Sequence, residues 1–164
     1  MKALGDILKD LRVTYIYGDE DKLITGVTAD SREVGQGSLF IAVRGTQSDG
    51  HDFIGKAAEA GAAAIICEKL PELLHEGVTM IVVDDSAAAT GMTASAFYDH
   101  PSRKLRLTGV TGTNGKTTIA TLLYNMFDAL GYKCGLLSTV CNYVFRTRRD
   151  ATHTTPDPVR LNAL

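Results

Sequence analysis

The chain has 164 residues, 45% of them hydrophobic and 22% charged, with a formal net charge of −2. That is the make-up of a globular protein able to bury a core, and it excludes an overall positive field of the kind that gathers nucleic acid. No apolar run reaches the ~20 residues of a membrane span, and MKALGDILKDL lacks the uninterrupted apolar stretch of a signal peptide, so a cytoplasmic protein is expected.

Leu4, Ile7, Leu8 and Leu11 fall at i, i+3, i+4 and i+7, which predicts a short amphipathic helix over residues 3–11. VTYIY, LITGVTADS and LFIAV follow as β-rich runs separated by glycine and charged clusters. DFIGKAAEAGAAAIICE predicts a helix ending near Gly61 and then a buried strand over residues 63–67. VTMIVVDDS is a further strand, after which Ser86 is placed to cap an Ala-rich helix running to Asp99. Alternating helices and strands predict an α/β layer structure.

Pro101 and Ser102 then precede a fresh strand expected over residues 105–110, which places a domain boundary near residues 100–104. Residues 1–103 form one expected domain and residues 104–164 the beginning of another. Ile119, Leu122, Leu123, Met126, Phe127 and Leu130 keep helical spacing, with Gly131 placed to end the helix. YKCGLLST is expected to be the next strand, TVCNYVFRTRRD a hairpin or extended loop, and Pro158 the start of another helix. Two strands and two helices do not cover both faces of a parallel sheet, so the second domain is expected to be incomplete.

The histidines His51, His75, His100 and His153 show no metal-ligand spacing. Cys67 and Cys134 lie in or beside apolar runs, as small buried thiols do, and Cys141 leaves an odd count. Arg146, Arg148 and Arg149 make one basic run, which a solvated hairpin or loop explains better than a nucleic-acid site.

The chemistry-bearing stretch is GVTGTNGKTT, residues 109–118, after an expected strand and before a strong helix. Successive backbone N–H groups at such a turn, with the positive helix end, form a concavity for phosphate oxygens. Gly112 and Gly115 allow close backbone approach, Lys116 can reach the β- and γ-phosphates, and the Thr117 hydroxyl can bind Mg2+. The generic motif G-x-x-x-x-G-K-[ST] asks for glycine where this chain has Val110.

GTNGKTT resembles the ATP loop of the Mur ligase family, which does not require that earlier glycine. TADSREVGQGSLFIAVRGTQSDGHDFIGKAAEAGAAAIICE resembles the family's N-terminal domain, and HTTPDP resembles a later substrate-binding segment. Asn114 together with TTPD is similar to the branch that adds the third residue of the peptidoglycan stem peptide. The D-Ala-D-Ala-adding branch shares the N-terminal pattern and stays open as an alternative, as does a UDP-sugar-binding module without catalysis or a P-loop switch.

The resemblance implies a small N-terminal α/β substrate domain followed by the start of a P-loop-type parallel-sheet ATPase domain. It implies ATP and Mg2+ as cofactors, and as partners UDP-N-acetylmuramoyl-L-Ala-D-Glu and a diamino acid, with meso-diaminopimelate favoured over L-lysine. The reaction it implies is amide-bond formation through an acyl phosphate, by a monomeric enzyme. It carries ATP contact over to Gly112, Thr113, Asn114, Gly115, Lys116, Thr117 and Thr118, with Lys116 in the catalytic role and Thr117 at the metal. Ala29 and Ser31, then Thr46, Gln47 and Ser48, then His153, Thr154 and Thr155 match substrate-binding positions. On residue chemistry alone, TADSR reads equally as a turn whose Asp30 and Ser31 satisfy their own backbone, and Asp49-Gly50-His51 reads as a turn opening the next helix.

Overall fold

A computed structural model describes residues 1–45, 48–150 and 157–164. The N-terminal part runs β1 (Lys2–Ala3), α1 (Leu4–Leu8), β2 (Val13–Tyr17), β3 (Leu23–Ile24), β4 (Val27–Thr28), β5 (Leu39–Ile41), α2 (Ile54–Glu59), β6 (Ala64–Cys67), β7 (Thr79–Val83) and α3 (Ser86–Phe97). Five strands make one sheet in the order β2-β7-β6-β5-β4, with β2 antiparallel to β7 and the others parallel. The apolar runs sort by period two. Leu39, Ile41, Ala64, Ile66, Ile81 and Val83 join one core with α1 and α3, while Phe40, Ile65, Cys67 and Met80 join a second with α2. A parallel sheet covered on both faces needs apolar side chains on both, which is why these strands read as continuous hydrophobic runs.

The β-rich run LITGVTADS holds two short strands: β3 pairs with β1, whereas β4 joins the main sheet. Thr25 separates them, its N–H donating to the Gly37 carbonyl at 3.0 Å and its hydroxyl to the Gln36 carbonyl at 2.9 Å. The first helix is shorter than residues 3–11, because a turn bond from Leu11 N–H to the Leu8 carbonyl closes it. The cap of α3 is Asp85, whose carboxylate accepts from Ala88 N–H at 2.8 Å, and Ser86 is the first helical residue. Gly61 does follow α2, with φ 97°, a conformation that favours glycine.

After a 3-10 turn at Pro101–Lys104 come α4 (Lys116–Ala129), β8 (Gly135–Leu136), β9 (Cys141–Val144), β10 (Thr147–Asp150) and α5 (Pro158–Ala163). Residues 105–110 form no strand, and Leu105 and Leu107 are exposed. A lone extended run has nowhere to place its ladder hydrogen bonds, and no neighbouring strand lies beside it among the described residues. The YKCGLLST stretch gives only the two residues of β8, which pair antiparallel with β9. β9 and β10 form the expected hairpin, turning at Phe145, a non-glycine residue with φ 55°. The basic run lies on this exposed hairpin, with Arg146 Nε 3.0 Å from Asp128.

Helix α5 returns to the N-terminal half. Asp157 caps it, accepting from Val159 and Arg160 N–H at 3.0 Å. Val159 enters the core beside α3, and Arg160 reaches Glu33 at 2.8 Å. Cys67 is buried, and desolvation pushes its thiol up to about 11. Cys134 is only half-buried, less than its apolar surroundings suggested. No helix among the described residues is long and apolar enough to cross a membrane.

Candidate functional site

The phosphate loop is built by two glycines and a helix start. Gly112 has φ 147° and Gly115, directly before α4, has φ 78°. A Cβ would find room at both, 3.7 Å from the Asn114 carbonyl and 4.0 Å from Ile119, so the backbone conformation rather than crowding selects glycine. The first intrahelical bond is Ile119 N–H to the Gly115 carbonyl at 2.9 Å, and no side chain caps the N-terminus. The amides of Lys116, Thr117 and Thr118 precede that bond and form the positive end of a fourteen-residue helix. Lys116 is exposed, its ammonium donating to the carbonyls of Gly112 and Thr113 in its own loop. An uncapped helix end with a cation folded over it fits the phosphates of a nucleotide.

Thr117 lies half-buried, and its hydroxyl is 3.4 Å from that of Thr139, just beyond β8. Two hydroxyls at the mouth of the loop are suited to a hard cation that keeps most of its waters. Sequence reasoning missed Thr139, since nothing in a separation of 22 residues signals the contact.

The second candidate region begins where β4 ends. Ala29 is exposed, and Asp30 caps the 3-10 turn Ser31–Glu33 by accepting from Arg32 N–H at 3.0 Å. The Arg32 guanidinium grips the same carboxylate at 2.9 and 2.6 Å. Chiefly through that contact, the Asp30 carboxyl is held at about 2. Asp30 therefore serves its own turn. Ser31 adds no side chain to this set and is half-exposed. Through Arg160 and Glu33, α5 is tied to the same turn, a contact across 127 residues that no local pattern announces.

Ser48 is exposed, and its carbonyl accepts from Gly45 N–H at 3.0 Å. Asp49 caps the 3-10 turn Gly50–Phe53, accepting from His51 N–H at 2.9 Å. The turn-opening reading of Asp49-Gly50-His51 thus holds. Thr46, Gln47, His153, Thr154 and Thr155 lie outside the described residues.

Residues 23–98 match the Mur ligase family, catalytic domain, and residues 110–164 match the Mur ligase middle domain. The chain belongs to the Mur ligase family. A similar curated protein is the UDP-N-acetylmuramoyl-L-alanyl-D-glutamate--2,6-diaminopimelate ligase of Bacteroides fragilis, 57% identical over 98% of this chain and 33% of the relative. The protein of the same name from Phocaeicola vulgatus is 54% identical with the same coverage. A solved structure of a ligase of that name shares the fold, with TM-score 0.71 at 23% identity over 99% of this chain and 32% of that one. This Mur ligase chain spans about a third of the length of the curated relatives it matches.

The family assignment leaves one polar group to explain. Ser95 Oγ, His100 and Asp10 stand in line, with His100 Nδ1 3.3 Å from Ser95 and Nε2 3.3 Å from Asp10. They pin His100, which has φ 51° at the entrance to the 101–104 turn.

Proposed function

We propose that this chain carries the UDP-substrate region and the phosphate loop of an ATP-dependent amide ligase of peptidoglycan synthesis. The acceptor is UDP-N-acetylmuramoyl-L-Ala-D-Glu and the added diamino acid is diaminopimelate in its meso form; the names of the 57%- and 54%-identical relatives carry that acceptor and 2,6-diaminopimelate. The carrying observation is the uncapped start of α4 behind Gly115, with Lys116 laid across the loop. Residues 1–103 hold the UDP end, through Ala29, Ser31 and the 46–48 turn, and residues 104–164 begin the ATP-binding domain. His153, Thr154 and Thr155 complete the substrate set. The compartment is the cytoplasm.

ATP with Mg2+ supplies the phosphoryl group that activates the substrate carboxylate. Gly112 to Thr118 bind and orient the phosphates through backbone amides, which are already aimed and need no reorganisation as charge shifts. Lys116 moves from its own loop carbonyls to phosphate oxygens, trading two neutral acceptors for charged ones. Thr117, with Thr139 beside it, offers its hydroxyl to the metal. Positioning and charge neutralisation carry the reaction, and no side-chain nucleophile is needed.

The test is a pair of titrations on the isotope-labelled chain. ATP with Mg2+ should shift the amides of Gly115, Lys116 and Thr117, and UDP should shift Ser31 and Ser48. A loop indifferent to millimolar ATP, in a chain whose Ser31 and Ser48 respond to UDP, would favour a UDP-sugar-binding module without catalysis.

A further inference from the structure

The turn that bears Ser48 has a closely built stem. Arg44 and Asp49 form an antiparallel bridge, and Gly50 N–H donates to the Val43 carbonyl at 2.9 Å. His51, its side chain only 15% exposed, is bonded to this stem. Its Nδ1 is 2.6 Å from Asp49 Oδ1, and its Nε2 is 2.9 Å from the backbone nitrogen of Glu68. An amide N–H only donates, so Nε2 carries no proton and Nδ1 carries the one given to Asp49. The imidazole is neutral and held in one tautomer. A second proton would set two N–H donors face to face.

The bonding continues into the sheet. Glu68 follows β6 and accepts from the N–H and hydroxyl of Ser86, the first residue of α3, at 3.2 and 2.9 Å. Arg44 Nε lies 3.4 Å from Glu68 and 3.5 Å from Asp49. Both carboxylates are held below their ordinary range, Asp49 by the His51 N–H groups and Glu68 by Ser86. Each end of the stem is thereby fastened to a rigid element.

We propose that His51 is a positioning residue for Ser48. As a neutral, single-tautomer bridge between Asp49 and the end of β6, it fixes the stem that carries Ser48, so that Ser48 meets the UDP-bearing substrate in one geometry. This rests on the substrate reading of Ser48 given above. A capping side chain alone would only stabilise the fold. A positioning residue also sets ligand affinity.

The experiment uses the 164-residue chain with 15N labelling. At neutral pH the His51 ring should show a protonated Nδ1 and a bare Nε2, and any other protonation pattern overturns the assignment. His51→Gln keeps an acceptor for Glu68 N–H but loses Asp49. In that variant exchange of the Gly45 amide should quicken, and the UDP response at Ser48 should weaken by about tenfold, the size of one lost hydrogen bond. His51→Asn, which can still donate to Asp49, should recover part of the Ser48 response. Unchanged Gly45 exchange, or a parent-like Ser48 affinity in His51→Gln, overturns the positioning role. Absence of any UDP response in the parent chain defeats the substrate reading instead, while the ring spectrum separately reports the tautomer.

Discussion

Lys116 is exposed and, among the described residues, bonds only to carbonyls of its own loop, so its removal takes little from the folded state. A nucleotide loses a point charge at the phosphates. In a full-length ligase carrying this segment, Lys116→Ala should lower kcat by a factor corresponding to about 3–4 kcal/mol, the size of one lost oxyanion donor. The melting temperature should stay at the parent value. Near-normal turnover with a normal melt removes Lys116 from the mechanism. Asp30 behaves in the opposite way, serving the fold first. Its folded carboxyl sits at about 2 against an ordinary 3.8. Its stabilising contribution is therefore complete above about pH 4 and is lost as pH falls through about 2. The side chain is about a third exposed, and solvent screening limits the effect to about 1 kcal/mol. Asp30→Asn should melt slightly lower than the parent at neutral pH, and the gap should close as the solution is acidified. A gap independent of pH would mean that the Arg32 pairing contributes nothing.

At the scale of elements, Gly50 is the tightest junction beneath the Ser48 turn. A Cβ there would lie 2.6 Å from both the nitrogen and the oxygen of Val43, and backbone cannot step aside as a flexible side chain would. Gly50→Ala should destabilise the chain by about 1–3 kcal/mol, seen as a lower denaturant midpoint with an unchanged slope. A wild-type midpoint would show that the 43–50 backbone is slack. This close approach was not legible in the sequence, where Asp49-Gly50-His51 shows turn chemistry but not what it packs against. The sheet strands were legible because Leu39–Ile41, Ala64–Cys67 and Thr79–Val83 are apolar on both faces, a pattern that only burial explains. The phosphate loop was legible because glycine positions and the following helix are local. Residues 105–110 misled because β propensity reports fitness for a sheet and not the presence of partners. Ser86 misled at α3 because Asp85 beside it is an equally good cap, and the choice fell to Asp85 while the Ser86 hydroxyl was drawn to Glu68. Thr139 beside Thr117, Arg160 at Glu33 and Glu68 at His51 join distant parts of the chain, so no window of sequence contains them.

Across the whole molecule, burial is unevenly shared. Among the described residues past the turn at Pro101–Lys104, only Leu136 and Val159 are buried apolar side chains, and Val159 lies in the core of the N-terminal half. Helix α4 has no buried residue at all, and its apolar positions Ile119, Leu122 and Met126 are 49%, 62% and 48% exposed. Most helical stability in proteins comes from packing an apolar face, and α4 here is held only by exposed or half-buried contacts, such as those to the β9–β10 hairpin, where Tyr124 stacks on Tyr143 and Asp128 pairs with Arg146. The five-stranded sheet, filled on both faces, has no such deficit. Amides of β5, β6 and β7 should therefore exchange slowly, those of α4 should exchange at least about tenfold faster, and the exposed stripe should bind a hydrophobic dye or drive concentration-dependent association. Catalysis should follow the same division. In-line transfer needs an acceptor held in place, and positioning is worth ~7–11 kcal/mol. With about a third of the relatives' length present, the loop alone has Lys116, Thr117 and its amides to offer. Incubated with ATP, Mg2+, UDP-N-acetylmuramoyl-L-Ala-D-Glu and meso-diaminopimelate, the 164-residue chain should release no more phosphate than its Lys116→Ala variant. Stoichiometric, substrate-dependent release by the chain, or α4 amides as protected as those of β6, would show that these residues already hold a complete and packed active site.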